Sequence, residues 1–153
     1  MLINGRGVDQ EFSKSEQLYR WFSSDCHPLG TSIPIFAIEL PDVSVNRSKH
    51  GGKKEYVLYN GVNGNRLTGK GILQFLVEDV PERICIEGEC DVDFRILHCP
   101  LEYNYYHAEI QAHDKTRGHL KEFVDGQDDN LWQTWRLKLR RKMKVVQSPS
   151  PQT

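Results

Sequence analysis

The segment from Cys90 to Asp114 constrains the fold more than any other part of the chain, because its side chains alternate in character. From Tyr103 to His113, tyrosine, histidine, glutamate and glutamine residues fall at odd positions, and most residues between them are small or apolar. A period of two predicts a half-buried strand. The preceding run alternates in the same way, and Pro100 marks the connection, so the sequence predicts a β-hairpin.

The hairpin gathers reactive side chains on one face if its turn is centred near Leu101. In that register Asp93 lies opposite Glu109, and opposed residues of an antiparallel pair are roughly 5 Å apart at Cβ. Two carboxylates at that distance need a proton, a metal ion or another cation between them. A shift of one residue would send the side chains to opposite faces, so the candidate site depends on the register.

Asp93 together with Glu109-Ile110-Gln111 has the form of the D…(D/E)-x-K pattern of metal-dependent nucleases, with Gln111 where lysine is usual. In that arrangement two acids hold Mg²⁺ or Mn²⁺, and the third group orients the attacking water. The alternative is a solvated sheet face whose acids pair with Arg95 and nearby lysines. The predicted metal ligands are Asp91, Asp93 and Glu109, and the predicted catalytic residues are His107, Glu109 and Gln111.

The composition predicts one domain with its own core. The chain has 153 residues, of which 38% are hydrophobic, and no apolar run is long enough to cross a membrane. The N-terminus lacks the basic and apolar regions of a signal peptide, so we expect a cytoplasmic location and reduced cysteines. We predict a single domain over residues 1–147 and a disordered tail over residues 148–153.

Two glycine-containing loops suggest phosphate binding. Arg47 and Lys49 come just before Gly51-Gly52, where cationic side chains and exposed backbone N–H groups would attract phosphate. The segment from Gly64 to Gly71 is close to a P-loop, but Gly71 stands where a serine or threonine should bind Mg²⁺. An ordinary hairpin connection is the alternative for both loops.

Two helices are predicted. Ser13 to Ser24 has a capping box formed by Ser13 and Glu16 and an apolar stripe, which favours a short amphipathic helix. Asp129 to Val146 has an apolar stripe and cations crowded into its C-terminal half. Arg136, Arg140 and Arg141 of this segment are predicted to bind a partner. The other predicted binding residues are Arg47, Lys49, Arg95 and Tyr105. The alternative is that this helix packs on the sheet of its own domain.

These patterns together predict an α+β fold: an antiparallel sheet of about five or six strands, flanked by a short N-terminal helix and a long basic C-terminal helix. The strands outside the hairpin are predicted at Ser32–Leu40, from Asp42, and at Glu55–Asn60, Ile72–Val80 and Arg83–Cys90. The predicted function is a binding module that contacts a partner protein or nucleic acid through a Tyr/His-rich sheet face and the basic helix. A metal-dependent phosphodiesterase or nuclease is the alternative. The helix is also a candidate surface for a homo-oligomer, and no membrane partner is expected.

Overall fold

An antiparallel sheet dominates the fold, as predicted. The computed structural model describes residues 2–3, 5–23, 38, 42–59, 65–86, 89–116, 118–120 and 129–149. Its strands are β1 (Leu2–Ile3), β2 (Arg6–Gly7), β3 (Gln17–Phe22), β4 (Asp42–Arg47), β5 (Gly71–Leu76), β6 (Arg83–Ile86), β7 (Glu89–His98), β8 (His107–Asp114), β9 (Gly118–His119) and β10 (Lys144–Gln147). Within these ranges, the main sheet has the order β10-β5-β3-β4-β8-β7-β6, with β9 beside β8, and β1 pairs with β2.

A single α-helix in the described ranges, α1 (Asp129–Arg140), covers one face of this sheet. Trp135 stacks on Phe94 with ring centroids 4.2 Å apart, and its Nε1 donates a 2.9 Å hydrogen bond to the carbonyl oxygen of Pro81. The apolar stripe of α1 is therefore covered by the sheet of the same chain. The main core joins residues of both layers: Leu18, Phe22, Val43, Val45, Leu73, Phe75, Phe94, Ile110, Trp135 and Leu139.

The predicted C-terminal helix is too long by six residues. After Arg140 the chain makes a turn and then forms β10, which pairs with β5 through Lys144 opposite Gln74 and Val145 opposite Leu73. Val145 packs against the main core, whereas Val146 packs against a second cluster on the other face. The segment therefore follows the two-residue period of a strand, which its adjacent β-branched residues also favour.

The predicted N-terminal helix is wrong, because Gln17–Phe22 forms β3 between β4 and β5. Leu18 and Phe22 are buried in the main core, and Tyr19 is buried on the opposite face. A segment that is buried on both faces gains more from the sheet than from its helical propensity. The serine and glutamate of the presumed capping box form a turn instead, in which the Glu16 amide donates to the Ser13 carbonyl.

The predicted strand at Glu55–Asn60 is also wrong, because Lys54–Tyr59 forms a 3₁₀ helix. Val57 and Leu58 are buried with Tyr19 and Ile72, so this helix covers the second face of the sheet. The predicted strand at Ile72–Val80 is too long, because β5 ends at Leu76 and Val77–Asp79 forms a second 3₁₀ segment. The predicted strand at Ser32–Leu40, apart from Ile38, and residues 150–153 of the predicted tail lie outside the described residues. No helix in the described ranges has both the length and the apolar character needed to cross a bilayer.

Candidate functional site

The hairpin is present, but its predicted register is wrong. Asp93 pairs with His113 and Glu109 pairs with Leu97, so the two predicted metal ligands are not opposed. The cause is an eight-residue connection, residues 99–106, which contains reciprocal backbone hydrogen bonds between Leu101 and Asn104. The pairing is thereby centred on residue 103 instead of Leu101. Since the shift is an even number of residues, the side chains stay on their predicted faces.

The acidic residues of this face bind neighbours within the chain. Asp93 accepts a 3.1 Å hydrogen bond from Arg95 Nε, and Glu109 accepts a 2.9 Å bond from Gln111 Nε2. Asp91 lies in β7, but its side chain is outside the described part of the structure. Among the described residues, no group of three histidine, cysteine, aspartate or glutamate side chains is placed to hold a metal ion. The Mg²⁺ or Mn²⁺ hypothesis therefore loses the opposed carboxylates on which it depended.

His107 joins three elements and is only 6% exposed. Its Nδ1 lies 2.7 Å from the carbonyl oxygen of Cys99, and its Nε2 lies 2.7 Å from Ser44 Oγ. A carbonyl oxygen only accepts, so Nδ1 donates to Cys99, and Nε2 shares a second hydrogen bond with the Ser44 hydroxyl. Both ring nitrogens are thus hydrogen-bonded within the protein, and the predicted catalytic role of His107 gains no support from this geometry.

Arg47, predicted to bind phosphate, is completely buried. Its Nε and Nη2 each donate a 2.9 Å hydrogen bond to the Glu16 carboxylate, and its other donors reach the backbone carbonyls of Asp9 and Glu11. The guanidinium carbon lies 4.0 Å from the centre of the Phe12 ring. The guanidinium is out of reach of solvent, so this geometry gives no support to the predicted contact between Arg47 and a ligand. Arg47 fixes the N-terminal segment to β4.

Lys49 is partly exposed and forms a 2.8 Å ion pair with Asp9. The hydrogen bond from Lys49, together with those from the Glu11 amide and His50, lowers the pKa of Asp9 well below its ordinary value. Lys49 therefore has a carboxylate partner within the chain. Lys49 thereby stabilises the position of the same N-terminal segment that Arg47 binds.

The other predicted cationic residues are spread over separate surfaces. Arg95 is exposed on β7, Arg136 and Arg140 are partly buried on α1, and Arg141 is exposed in the turn that follows α1. Arg141 lines a surface groove beside two acidic residues; the groove residues are Glu78, Asp79, Pro81, Lys138, Arg141 and Lys142. The structure does not bring these arginines together with Arg47 or Tyr105 into one site.

A cavity of about 410 Å³ lies where the connection between β7 and β8 meets the 3₁₀ helix Lys54–Tyr59 and β2. Tyr105, the remaining predicted binding residue, belongs to it, and its hydroxyl donates a 2.7 Å hydrogen bond to the carbonyl oxygen of Gly7. We call this cavity the tyrosine pocket. Its lining residues are Arg6, Tyr56, Tyr59, Tyr103, Asn104, Tyr105 and Tyr106.

A buried amide pair holds the connection that carries most of these tyrosines. Asn104 Nδ2 donates to Asn46 Oδ1 at 2.8 Å, and Asn46 Nδ2 donates back to Asn104 Oδ1 at 3.2 Å. The Asn104 oxygen also accepts the Tyr106 amide at 3.2 Å. Because Asn46 lies on β4 and Asn104 lies in the connection, the pair anchors the connection to the centre of the sheet. We call Asn104, Tyr105 and Tyr106 of this connection the floor of the tyrosine pocket.

Aromatic contacts then order the rings on this floor. Tyr106 stacks on Tyr56 with centroids 5.3 Å apart and an interplanar angle of 19°, and Tyr105 meets Tyr106 edge to face at 5.6 Å. Gly52 leaves room for this arrangement. A Cβ at that position would clash with the Arg47 carbonyl and would lie 3.0 Å from the Tyr106 ring.

Arg6 forms one wall of the tyrosine pocket. Its guanidinium carbon lies 5.1 Å from the centre of the Tyr105 ring, and its Nη1 donates a 3.2 Å hydrogen bond to the Tyr106 hydroxyl, which raises the pKa of Arg6. The segment around Arg6 is held by His98, whose Nδ1 accepts the Asp9 amide at 3.0 Å. Arg6 is thus a positioned cation on an exposed surface.

Three tyrosine hydroxyls in the pocket have no hydrogen-bond partner among the described residues: those of Tyr56, Tyr59 and Tyr103. Tyr59 is 40% exposed and Tyr103 is 47% exposed, and both belong to the small set of exposed large apolar side chains in the described ranges. Exposed rings on an ordered floor, each with an available donor, are typical of a surface that binds another molecule.

Sequence reasoning missed Arg6, Tyr56 and Tyr59. In a strand, Tyr56 and Tyr59 would point to opposite faces, whereas in a 3₁₀ helix residues three apart lie on the same side. Reading residues 55–60 as a strand therefore separated two side chains that line the same cavity. For Arg6, no local pattern indicated that β2 lies beside the β7–β8 connection.

Comparisons of this chain with protein-family models, with curated proteins and with solved structures found no match.

Proposed function

We propose that this protein is a binding module that takes an extended peptide segment of a partner protein in the tyrosine pocket. The main support is that Tyr59 and Tyr103 present exposed rings whose hydroxyls are not hydrogen-bonded to any described residue. They lie beside a floor that is fixed by stacking and buried amides. Tyrosine supplies a large contact area at a low cost in conformational entropy, and its hydroxyl adds a directed hydrogen bond. An extended peptide offers apolar side chains and backbone carbonyls, which match such a surface.

Charge favours a peptide over a nucleic acid as the ligand. The elements that line the pocket carry two basic residues, Arg6 and Lys54, and two acidic residues, Glu55 and Glu102, so their formal charges cancel. Nucleic-acid binding depends largely on cations that neutralise phosphates, and aromatic stacking supplements it. Arg6 is the one charged residue among the described residues that line the pocket, and a single cation supplies little of that main contribution.

The proposal can be tested by selecting random displayed peptides on the wild-type protein and counter-selecting on Tyr59→Ala/Tyr103→Ala. We expect peptides that bind the wild type and lose at least about tenfold in affinity for the variant, as is usual when central aromatic residues are truncated. Because both side chains are partly exposed, the variant should stay folded with only a moderately lower unfolding midpoint, which a thermal unfolding curve measures.

The matched control is Lys138→Ala/Arg141→Ala, which removes two exposed side chains outside the pocket lining and should bind the selected peptides normally. Peptides that bind the wild type and Tyr59→Ala/Tyr103→Ala equally well would contradict the proposal. So would a selection from which no peptide emerges.

A further inference from the structure

We infer that the tyrosine pocket recognises a proline-rich segment in the polyproline II conformation, with an acidic residue beside the prolines; this inference rests on the proposed function. Extended peptides bind proteins in a few recurrent ways, including strand addition at a sheet edge, insertion of an amphipathic helix, and polyproline II docking on aromatic side chains. The edges, polarity and hydrogen-bond donors of the pocket favour polyproline II docking over the other two modes.

Among the described strands of the main sheet, the one next to the pocket offers no open edge for strand addition, and the separate β2 strand beside the pocket is only two residues long. β8, which begins directly after the lining tyrosines, is paired with β4 on one side and with β7 on the other. A peptide strand would therefore find the backbone groups of β8 already bonded. Helix insertion requires a mainly apolar groove, whereas the exposed tyrosines add hydroxyls to this pocket.

The hydrogen-bonding groups of the pocket match a polyproline II segment. Such a segment makes no internal hydrogen bonds, so its carbonyl oxygens are all free to accept, and proline has no N–H to donate. The pocket offers donors in the hydroxyls of Tyr56, Tyr59 and Tyr103. The faces of Tyr59 and Tyr103 offer flat apolar surfaces for pyrrolidine rings.

Arg6 specifies the acidic residue. It lines both the tyrosine pocket and an adjoining cavity of about 510 Å³, whose other residues are Gly7, Val8, Asp9, His50 and Tyr105. The one carboxylate in this second cavity, Asp9, is already bonded to Lys49 and His50. Arg6 therefore keeps its charge available, and a carboxylate of the ligand would complete a charge-assisted hydrogen bond with it.

The experiment uses the peptides selected on the wild-type protein. We expect proline to be enriched over the starting library at positions three residues apart, since the polyproline II helix has three residues per turn. We also expect an aspartate or glutamate at a fixed distance from the prolines. Fluorescence anisotropy then measures the affinity of one synthetic peptide and of two derivatives, one with alanine for proline and one with glutamine or asparagine for the acidic residue.

Replacing proline by alanine should weaken binding about tenfold or more, since the peptide loses both ring contacts and its preformed conformation. Neutralising the acidic residue should weaken binding to the wild type but leave binding to Arg6→Gln unchanged, because the contact is already absent there. A matched control is Arg66→Gln, which changes an exposed arginine outside the pocket lining and should keep the full effect of the acidic residue.

Selected peptides without proline enrichment, or with undiminished affinity after alanine replacement, would overturn this inference while leaving the peptide-binding proposal intact. An acidic residue that contributes equally to binding the wild type and Arg6→Gln would overturn the role of Arg6. A selection that yields no peptide would overturn both proposals. Binding of an oligothymidylate that is lost in Tyr59→Ala/Tyr103→Ala would also overturn both, since it would identify single-stranded nucleic acid as the ligand.

Discussion

The polar face of the β7–β8 hairpin and the tyrosine pocket differ in whether their polar groups have partners. On the hairpin face, Asp93 binds Arg95, Glu109 binds Gln111, and His107 is bonded at both ring nitrogens. In the pocket, Tyr59 and Tyr103 are exposed and their hydroxyls have no partner in the part of the chain that the structure describes, although their surroundings are fixed. A dense run of reactive residues in the sequence therefore does not by itself locate a site. A site needs groups that the fold positions and leaves available.

The largest predicted effect tests whether buried pairs hold the frame of the pocket. Arg47→Met should lower the free energy of unfolding by about 3–5 kcal/mol, because it leaves the buried Glu16 carboxylate without its cation. Denaturant titration measures this loss. Arg47→Met/Glu16→Leu should recover part of it, since the uncompensated charge is removed as well. A loss below about 1 kcal/mol, as for an exposed ion pair, would contradict the assignment of Arg47 as a structural residue.

The amide pair beneath the pocket gives the next effect. Asn104→Ala should cost about 1–3 kcal/mol, because the buried Asn46 amide is left without its reciprocal partner. It should also weaken peptide binding, since the connection that carries Tyr103 and Tyr106 loses its anchor. Unfolding and anisotropy measurements on the same variant check both parts. Unchanged stability with normal binding would show that the pair does not hold the pocket floor.

A more gradual effect should appear with pH. Neutral His98 accepts the Asp9 amide through Nδ1, and its Nε2 bonds the Tyr105 carbonyl at 2.6 Å. Burial lowers the pKa of His98. The unfolded chain therefore takes up a proton first as the pH falls, so stability is full above an ordinary histidine pKa of about 6.5 and declines below it.

Denaturant titrations from about pH 7 to about pH 5 measure this decline, and the slope should be shallower in His98→Gln than in the wild type. Burial also lowers the pKa of His113, with Arg95 and His119 acting in the same direction, so some slope should remain. His113→Gln serves as the matched control. Equal slopes in the wild type and His98→Gln would contradict the predicted role of His98.

The smallest effect concerns the hairpin face itself. Arg95→Ala should change the free energy of unfolding by less than about 1 kcal/mol, because the Asp93–Arg95 ion pair is largely exposed. The same variant should bind the selected peptides with wild-type affinity. Reduced peptide binding by Arg95→Ala would contradict the distinction between the two regions, because it would show that the hairpin face also contacts the ligand.

Local patterns predicted some parts of the fold well and others poorly. Alternation identified the strands of the hairpin and their faces, since a period of two follows from the strand itself. It did not give the register, which depends on the turn between Leu101 and Asn104 inside the connection. The Ser13–Ser24 pattern predicted a helix, but Gln17–Phe22 lies between two strands and is buried on both sides, so long-range packing outweighed local propensity.

The candidate site was predictable only in part. The tyrosine cluster from Tyr103 to Tyr106 is visible in the sequence, and Tyr105 was among the predicted binding residues. Tyr56, Tyr59 and Arg6 join it only through a 3₁₀ helix and a two-residue strand that are far away in the chain. Such convergence depends on tertiary contacts, for which a single sequence gives no local signal.

An NMR titration of the ¹⁵N-labelled protein with a selected peptide would show residue by residue whether the tyrosine pocket is the ligand surface. We predict that the amide signals of Tyr56, Tyr59, Tyr103 and Tyr106 and the side-chain signal of Arg6 shift in a saturable way. Signals of Arg95 and Gln111 on the hairpin face should stay in place. Shifts confined to the hairpin face or to α1, with the pocket signals unmoved, would contradict the claim.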